Sequence, residues 1–367
     1  MSLTQVQPGM LGTPQPYSFK NRIINGNMVI DQRNAGASIA TPNGYTLDRF
    51  RVNQTTTGKL TAQQNQGSVT PPVGFSNYLG ITSSSAYSVA AGDAYWIDQP
   101  IEGFNFSDLN WGTANAKTVT LSFQVYSSLT GTFGGSLRNS AANRSYPFSY
   151  SVPVANTWTT VSITIAGDTT GTWVGATNGV GVYVGWGLGV GSTYNGTAGS
   201  WSANNYLSAT GATSVVGTNG ATFYITCVLL EVGSSATGFD YRQYGTELSL
   251  CQRYYFQISN NASYTNATFA NGTSGGGTNW FNCNTTLPVT MRTIPSISAS
   301  TASQFSQGIA YVGVVALTSG PTMNTGNSSP YIAQYYWGTN SLGSAGQSAV
   351  LQSNTATYTY LGFSAEL

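Results

Sequence analysis

Asp93, Asp98, Glu102 and Asp108 crowd the segment AGDAYWIDQPIEGFNFSDLNW (91–111) in a chain of which only 6% is charged. Paired carboxylates about 5 to 10 Å apart, one protonated and one ionised, are the machinery of glycoside hydrolysis. Trp96, Phe104, Phe106 and Trp111 interleave with these acids, and such rings could stack a sugar whose hydroxyls the acids bond. Acids are the only acid-base groups on offer, because the chain has no histidine. That absence removes Ser-His-Asp and Cys-His mechanisms, HExxH chemistry and most transition-metal sites.

Other chemistry is sparse. Twelve basic residues face eleven acidic ones, for a net charge of +1, and no run of like charge occurs. Nucleic-acid binding relies on clustered Lys and Arg that release counterions, so no nucleic-acid partner is expected, nor an acidic lipid surface. Cys227, Cys251 and Cys283 form an odd set without CxxC spacing and read as free thiols. GVGVYVG and TSGGGTNW lack the Lys-Ser/Thr ending of a phosphate loop and read as turns. Polar, uncharged surfaces rich in Tyr (23 residues) and Asn suit recognition of sugars or proteins. Tyr194, Trp201, Tyr206, Tyr264, Phe269, Trp280 and Trp337 stand in segments rich in Gly, Ser and Asn; they are expected to be exposed and are the candidate ligand contacts.

The elements that must position these residues are strands. Gly (44 residues), Ser, Thr and Asn dominate while Lys and Glu are scarce, a composition of β-strands and turns. Apolar residues alternate in YTLDRFRVNQ (45–54), KTVTLSFQVYSS (117–128), TWTTVSITIAG (157–167), GVGVYVGWGLG (179–189) and ATFYITCVLLEVG (221–233). Ile23, Ile24, Met28 and Ile30 are expected to begin strands around the turn INGN (24–27). One short helix is expected in YGTELSLCQRYYFQI, capped by Thr246, with Leu248, Cys251 and Tyr255 on one face. The pattern predicts an all-β chain of two jelly-roll-like β-sandwich domains: a sandwich over 21–244, a helical joint over 245–258 and a smaller sandwich over 259–367. An extended N-terminal arm over 1–20 precedes them. MSLTQVQPGMLGTPQPYSFK has neither the basic nor the apolar region of a secretory signal, and no apolar run is long enough to span a bilayer.

NRIINGNMVIDQRNAG (21–36), YTLDRFRV (45–52) and LLEVGSSATGFDYRQYGTELSLCQRYY (229–255) resemble a module of virion structural proteins of tailed bacteriophages, those of cyanobacteria and marine bacteria included. GWGLGVGSTYNGTAGSWSA (185–203), LPVTMRTIPSIS and YLGFSAEL extend the resemblance over most of residues 18 to 367. It implies a carbohydrate-binding-type jelly roll in a short tail fibre or fibre tip, or else a capsid decoration (cement) protein on the head. Its partners would be other tail, baseplate or capsid proteins, in a homotrimer on the virion surface that is assembled in the host cytoplasm and binds host glycan. Leu3, Val6, Met10, Leu11, Tyr17 and Phe19 would anchor the docking arm. No enzyme activity is expected: depolymerising tailspikes are built on long β-helices, and no β-helix period occurs here. No cofactor is expected either; a structural calcium, as jelly-roll modules of this kind carry, would fall to Asp93 or Asp240. Arg22, Asp31, Arg33, Asp48, Arg49 and Arg51 are expected to form ion pairs across neighbouring N-terminal strands, with Asp240 and Arg242 as further partners, fixing register.

Overall fold

The computed structural model describes residues 19–260, 266–275, 279–310, 312–340, 343–354 and 357–367. The chain divides into two compact units, Met1–Val29 with Gly36–Tyr244, and Ile30–Ala35 with Gly245–Leu367.

Alternation makes the first unit a pair of antiparallel sheets. In Val119–Ser127, Val119, Leu121, Phe123 and Val125 are buried while Ser122, Gln124 and Tyr126 are half-buried, as the two-residue period of a strand dictates. One sheet has six strands in the order Gly44–Leu47, Phe50–Gln54, Ala94–Glu102, Val180–Val190, Gly131–Arg138, Ser145–Val152. The other has five: Leu60–Gln64, Leu79–Ser83, Thr222–Val232, Val119–Ser127, Thr159–Ile165. Their inner faces share one core, in which Trp186 of the six-stranded sheet meets Phe123 of the five-stranded sheet edge to face at 5.6 Å. This is the sandwich expected from the sequence.

The second unit is built of strands apart from short helical segments. Six strands close into a barrel in the order Thr268–Ser274, Trp280–Thr286, Ile332–Thr339, Gly313–Met323, Phe305–Ile309, Ser348–Ser353, and closure leaves these strands no open edge. A three-stranded sheet of Tyr255–Ser259, Tyr360–Ser364 and Ser296–Ala299 completes the unit. Phe281, Cys283, Phe305, Tyr335, Trp337, Leu351 and Phe363 form its core. The helix runs Tyr244–Gln252, so Thr246 lies within its first turn rather than at its cap. Glu247 and Cys251, four apart, are its buried residues, while Tyr255 already opens the next strand. No helix among the described residues is long and apolar enough to cross a membrane.

Residues 21 to 30 depart from expectation, for they form no strands. Their backbone finds partners elsewhere: the Gln99 side chain accepts from the Ile24 N–H (2.9 Å) and donates to the Ile24 carbonyl (2.8 Å). Val228 N–H donates to Gly26 O at 2.8 Å. A Cβ at position 26 would lie 2.2 Å from Val228 O, so INGN is a close approach of backbones rather than a hairpin.

Candidate functional site

One face of the six-stranded sheet carries an array of aromatic and polar side chains. Pairing sets them in rows: Arg51 stands opposite Asp98, Asp98 opposite Gly185, and Gly185 opposite Ser136. The next rows join Asn53, Trp96 and Gly187 on one side, and Pro100, Tyr183 and Arg138 on the other. Asp98 is the hub. Arg51 donates to it through Nε and Nη2 (2.7 and 2.8 Å), Trp96 through Nε1 (3.0 Å), Asn53 through Nδ2 (3.3 Å) and Arg138 through Nη2 (3.4 Å).

Arg138 lies two strands from Asp98 and reaches it across Gly185, where a Cβ would sit 3.3 Å from Asp98 Cβ. The ring of Tyr183 flanks both guanidiniums, its centroid 5.1 Å from each, within reach of a cation–π attraction. Burial disfavours the charge of Arg51, but the attraction and hydrogen bonds of Asp98 prevail and raise its pKa above the ordinary range. For Arg138, burial prevails over Asp98 and lowers the pKa. Asn205 accepts from Arg138 Nη1 at 2.9 Å, and Ser208 lies over Gly134 and Gly187, so the segment 195–209 walls this end of the face. Arg51, Asn53, Trp96, Tyr183 and Tyr45 are half-buried. They present three aromatic rings beside fixed donors and acceptors, the combination that binds a hydroxyl-rich ligand by stacking and hydrogen bonding.

No family model matches the sequence, and no curated protein matches it. Among solved structures, a putative sugar binding protein from Bacteroides thetaiotaomicron is 11% identical over 58% of this chain and 100% of its own, with a TM-score of 0.35. The enzymatically active domain of tailspike protein 4 of bacteriophage CBA120 is 13% identical over 58% of this chain, at a TM-score of 0.32, and this chain covers 22% of that one. A carbohydrate-binding module, TmCBM61, in complex with β-1,4-galactotriose, is 8% identical over 58% of this chain and 99% of its own, at 0.30. Scores at this level decide nothing about the site, which stands on its own residues.

The remaining acids are dispersed. Asp93 accepts from Tyr87 OH and Ala90 N–H, both at 2.9 Å. Asp108 is bound bidentately by Arg22 (2.9 and 2.7 Å), and Glu102 is buried. Asp240 accepts from Asn21 N–H at 3.2 Å. Among the described residues no group of three or more His, Cys, Asp or Glu side chains could hold a metal ion.

Asp108 is a partner of Arg22 that the N-terminal strand pairing did not anticipate. Arg33, likewise, pairs with Glu366 at 3.0 Å and stacks on Tyr255 at 3.6 Å. Arg49 is buried and donates to Pro100 O at 2.6 Å. Arg242 donates to the carbonyls of Ile23 (3.2 Å) and Asn21. Asp31 accepts from Asn34 N–H at 3.1 Å, and Asp48 is buried, its carbonyl accepting from Asn25. These side chains hold the irregular N-terminal segment through carbonyls and amides as much as through charge.

The six candidate aromatics among the described residues divide between the two units. Trp337 and Phe269 are buried in the barrel, both against Phe305 (4.7 and 5.1 Å), which corrects the expectation that they are exposed. Trp201 packs on Trp111, Trp173 and Tyr146 at 5.0 to 5.4 Å and donates Nε1 to Ala166 O. Phe106 and Trp111 are buried, whereas Phe104 is exposed. Tyr194 and Tyr206 are half-buried, and the Tyr206 ring lies where a Cβ on Gly196 would be. Trp280 is 40% exposed. Tyr264 lies outside the described residues, as do Leu3, Val6, Met10, Leu11 and Tyr17 of the arm; Phe19 is exposed, with the Arg242 guanidinium 5.8 Å from its ring. Tyr183, Arg138 and Asn205 escaped the sequence reading. Alternation in GVGVYVGWGLG sets Tyr183 opposite in facing to Val182, Val184 and Trp186, but the register that brings Arg138 beside it lies in no local pattern.

Proposed function

We propose that the chain is a non-enzymatic, glycan-binding structural protein of a phage virion, a short tail fibre or fibre tip that docks by its N-terminal arm and assembles as a trimer. The observation that carries the binding role is the array of Trp96, Tyr183, Arg51, Asp98 and Arg138 on one sheet face. Trp96 and Tyr183 supply stacking surfaces, and Asn53 and the two guanidiniums supply donors whose positions are fixed by strand pairing. Such preorganisation lowers the ordering cost of binding. Asp98 accepts five hydrogen bonds from four side chains, so both of its oxygens are engaged in holding the array, which supports a binding role over a catalytic one.

The test is binding of the purified full chain to host cells and to their extracted surface polysaccharide. Trp96→Ala and Tyr183→Ala are each expected to weaken binding by about tenfold, the cost of a lost aromatic contact of roughly 1.4 kcal/mol, with the melting curve retained. Unchanged binding in both variants overturns this site, and release of new reducing ends from the polysaccharide overturns the non-enzymatic reading. Gold labelling of residues 251 to 367 on virions decides position: label at the tail or baseplate is expected, and label over the head makes the chain a decoration protein.

A further inference from the structure

The barrel carries its own cleft, whose described lining holds no ionisable carboxylate or amine. Trp280, Asn282, Asn324, Asn327, Gln334 and Tyr336 line a space of about 540 Å³, within the range of small-molecule sites. Alternation explains the lining. Along Trp280–Thr286, Phe281 and Cys283 turn into the core while Trp280, Asn282 and Asn284 turn out. Along Ile332–Thr339, Tyr335 and Trp337 turn in while Gln334 and Tyr336 turn out.

Register then sets Asn282 opposite Tyr336 and Asn284 opposite Gln334, with Trp280 opposite Gly338. Trp280 is therefore diagonal to Tyr336, a relation that separates side-chain bases by about 7–8 Å and leaves both rings able to touch one ligand. A Cβ at Gly338 would fall 2.3 Å from Ser319 Oγ, so the place opposite Trp280 carries no side chain. Both rings are 40% exposed.

The amides beside them are held in place. Asn324 Nδ2 donates to Gln334 Oε1 at 3.0 Å, and Gln334 Nε2 donates to Asn284 Oδ1 at 3.2 Å. Ser328 Oγ donates to Asn324 O (2.7 Å) and accepts from Gln334 N–H (3.0 Å), which pins the turn after Met323 to the strand that carries Gln334. Oriented amides offer a donor and an acceptor each, and burying them against a purely apolar ligand leaves those groups unpaired at a cost.

A charged ligand would surrender hydration to a lining that holds no countercharge. What satisfies flat aromatic faces and neutral amides together is a ligand with apolar ring faces and hydroxyls at the ring edge. We infer that this cleft is a second binding site, separate from the sheet face of the first unit, for an uncharged saccharide. Trp280 and Tyr336 stack on its rings, and Asn282, Asn324, Asn327 and Gln334 bond its hydroxyls.

The experiment uses the full chain on an array of uncharged oligosaccharides of glucose, galactose, mannose and N-acetylglucosamine, with uronic-acid and sialylated members beside them. The unaltered chain is expected to retain at least one uncharged member, with affinity unchanged between about 50 and about 500 mM sodium chloride, because no screened charge takes part. Trp280→Ala with Tyr336→Ala is expected to weaken that binding by more than about tenfold, and Gln334→Ala to weaken it by a smaller factor. Trp96→Ala is measured beside these to read how much of the binding belongs to the sheet face, and Gly92→Ala, at a position outside both sites where nothing lies within 4 Å, is expected to leave the binding intact. Circular dichroism and melting of each variant establish that it is folded, and Trp280→Phe, which keeps a ring, is expected to retain most of the binding. Capture of no uncharged member, retention of full binding by the double variant, or loss confined to Trp96→Ala each overturns the inference. The last outcome leaves the sheet-face reading standing alone.

Discussion

One carboxylate of the first unit lies outside the sheet-face array and is surrounded by donors of its own. Asp168 is buried; it accepts from Arg144 Nε at 2.9 Å and again from Arg144 Nη2, and from Trp173 Nε1 at 3.0 Å. Burial pushes its pKa up, but the hydrogen bonds from Arg144 and Trp173 and the backbone of Thr170 outweigh burial and hold it below the usual carboxylate range. A depressed folded-state pKa contributes stability that is present above the unfolded value of about 4 and is lost as pH falls through the folded value. Asp168→Asn is therefore expected to destabilise the chain by about 3 kcal/mol at neutral pH. The gap to the parent should narrow steadily below about pH 4; urea titrations from neutral pH to about pH 3 read it. A gap that is flat across this range contradicts the role given to Asp168. At this scale the sequence disclosed Asp98 and Trp96, which share one face by simple alternation. It did not disclose Arg138, because the contact depends on a guanidinium crossing a strand at a glycine.

Elements with strict alternation were legible. Val119–Ser127, Thr159–Ile165 and Thr222–Val232 fall inside segments whose apolar residues recur at every second place, and Val180–Val190 runs one residue past such a segment. YTLDRFRVNQ was read as one strand and is two, Gly44–Leu47 and Phe50–Gln54, since the chain reverses at Asp48 and Arg49 with Arg49 at φ 70°. No glycine or asparagine marks that turn, and left-handed backbone at an arginine is uncommon enough to escape any reading of composition. Barrel closure was equally hidden: it is a pairing of Thr268–Ser274 with Ser348–Ser353, and local pattern carries no information about distant partners. The irregular stretch before the first strand makes a sharper prediction. Gly26→Ala forces a methyl group against Val228 O and is expected to cost about 1–3 kcal/mol. Gly92→Ala, where nothing lies within 4 Å, is expected to stay within about 0.5 kcal/mol of the parent. Paired thermal melts compare them, and equal effects contradict the close approach.

Each unit has its own core, so the molecule is expected to lose structure in parts rather than at once. The second unit draws one component from far upstream. Ile30–Ala35 groups with Gly245–Leu367 although the residues on both sides of it belong to the first unit. Gln32 donates to Tyr255 O at 2.8 Å, and Arg33 lies over the Tyr255 ring while pairing with Glu366. Arg33→Ala is expected to cost about 3 kcal/mol, the scale of a broken buried ion pair. Amide hydrogen exchange should locate the loss, quickening in Tyr360–Ser364 while Val119–Ser127 keeps its protection. Uniform quickening across both strands would show that Arg33 supports the whole chain instead.

That upstream clasp bears on inheritance. A single crossover near residue 244 would transfer the barrel and its cleft without DQRNA. The recipient would receive Tyr255 and Glu366 stripped of the guanidinium that lies across one and neutralises the other. A workable hybrid must therefore either acquire two separate stretches of sequence together or come from parents that already share the short one, which ties this arginine to the C-terminal domain across more than two hundred intervening codons.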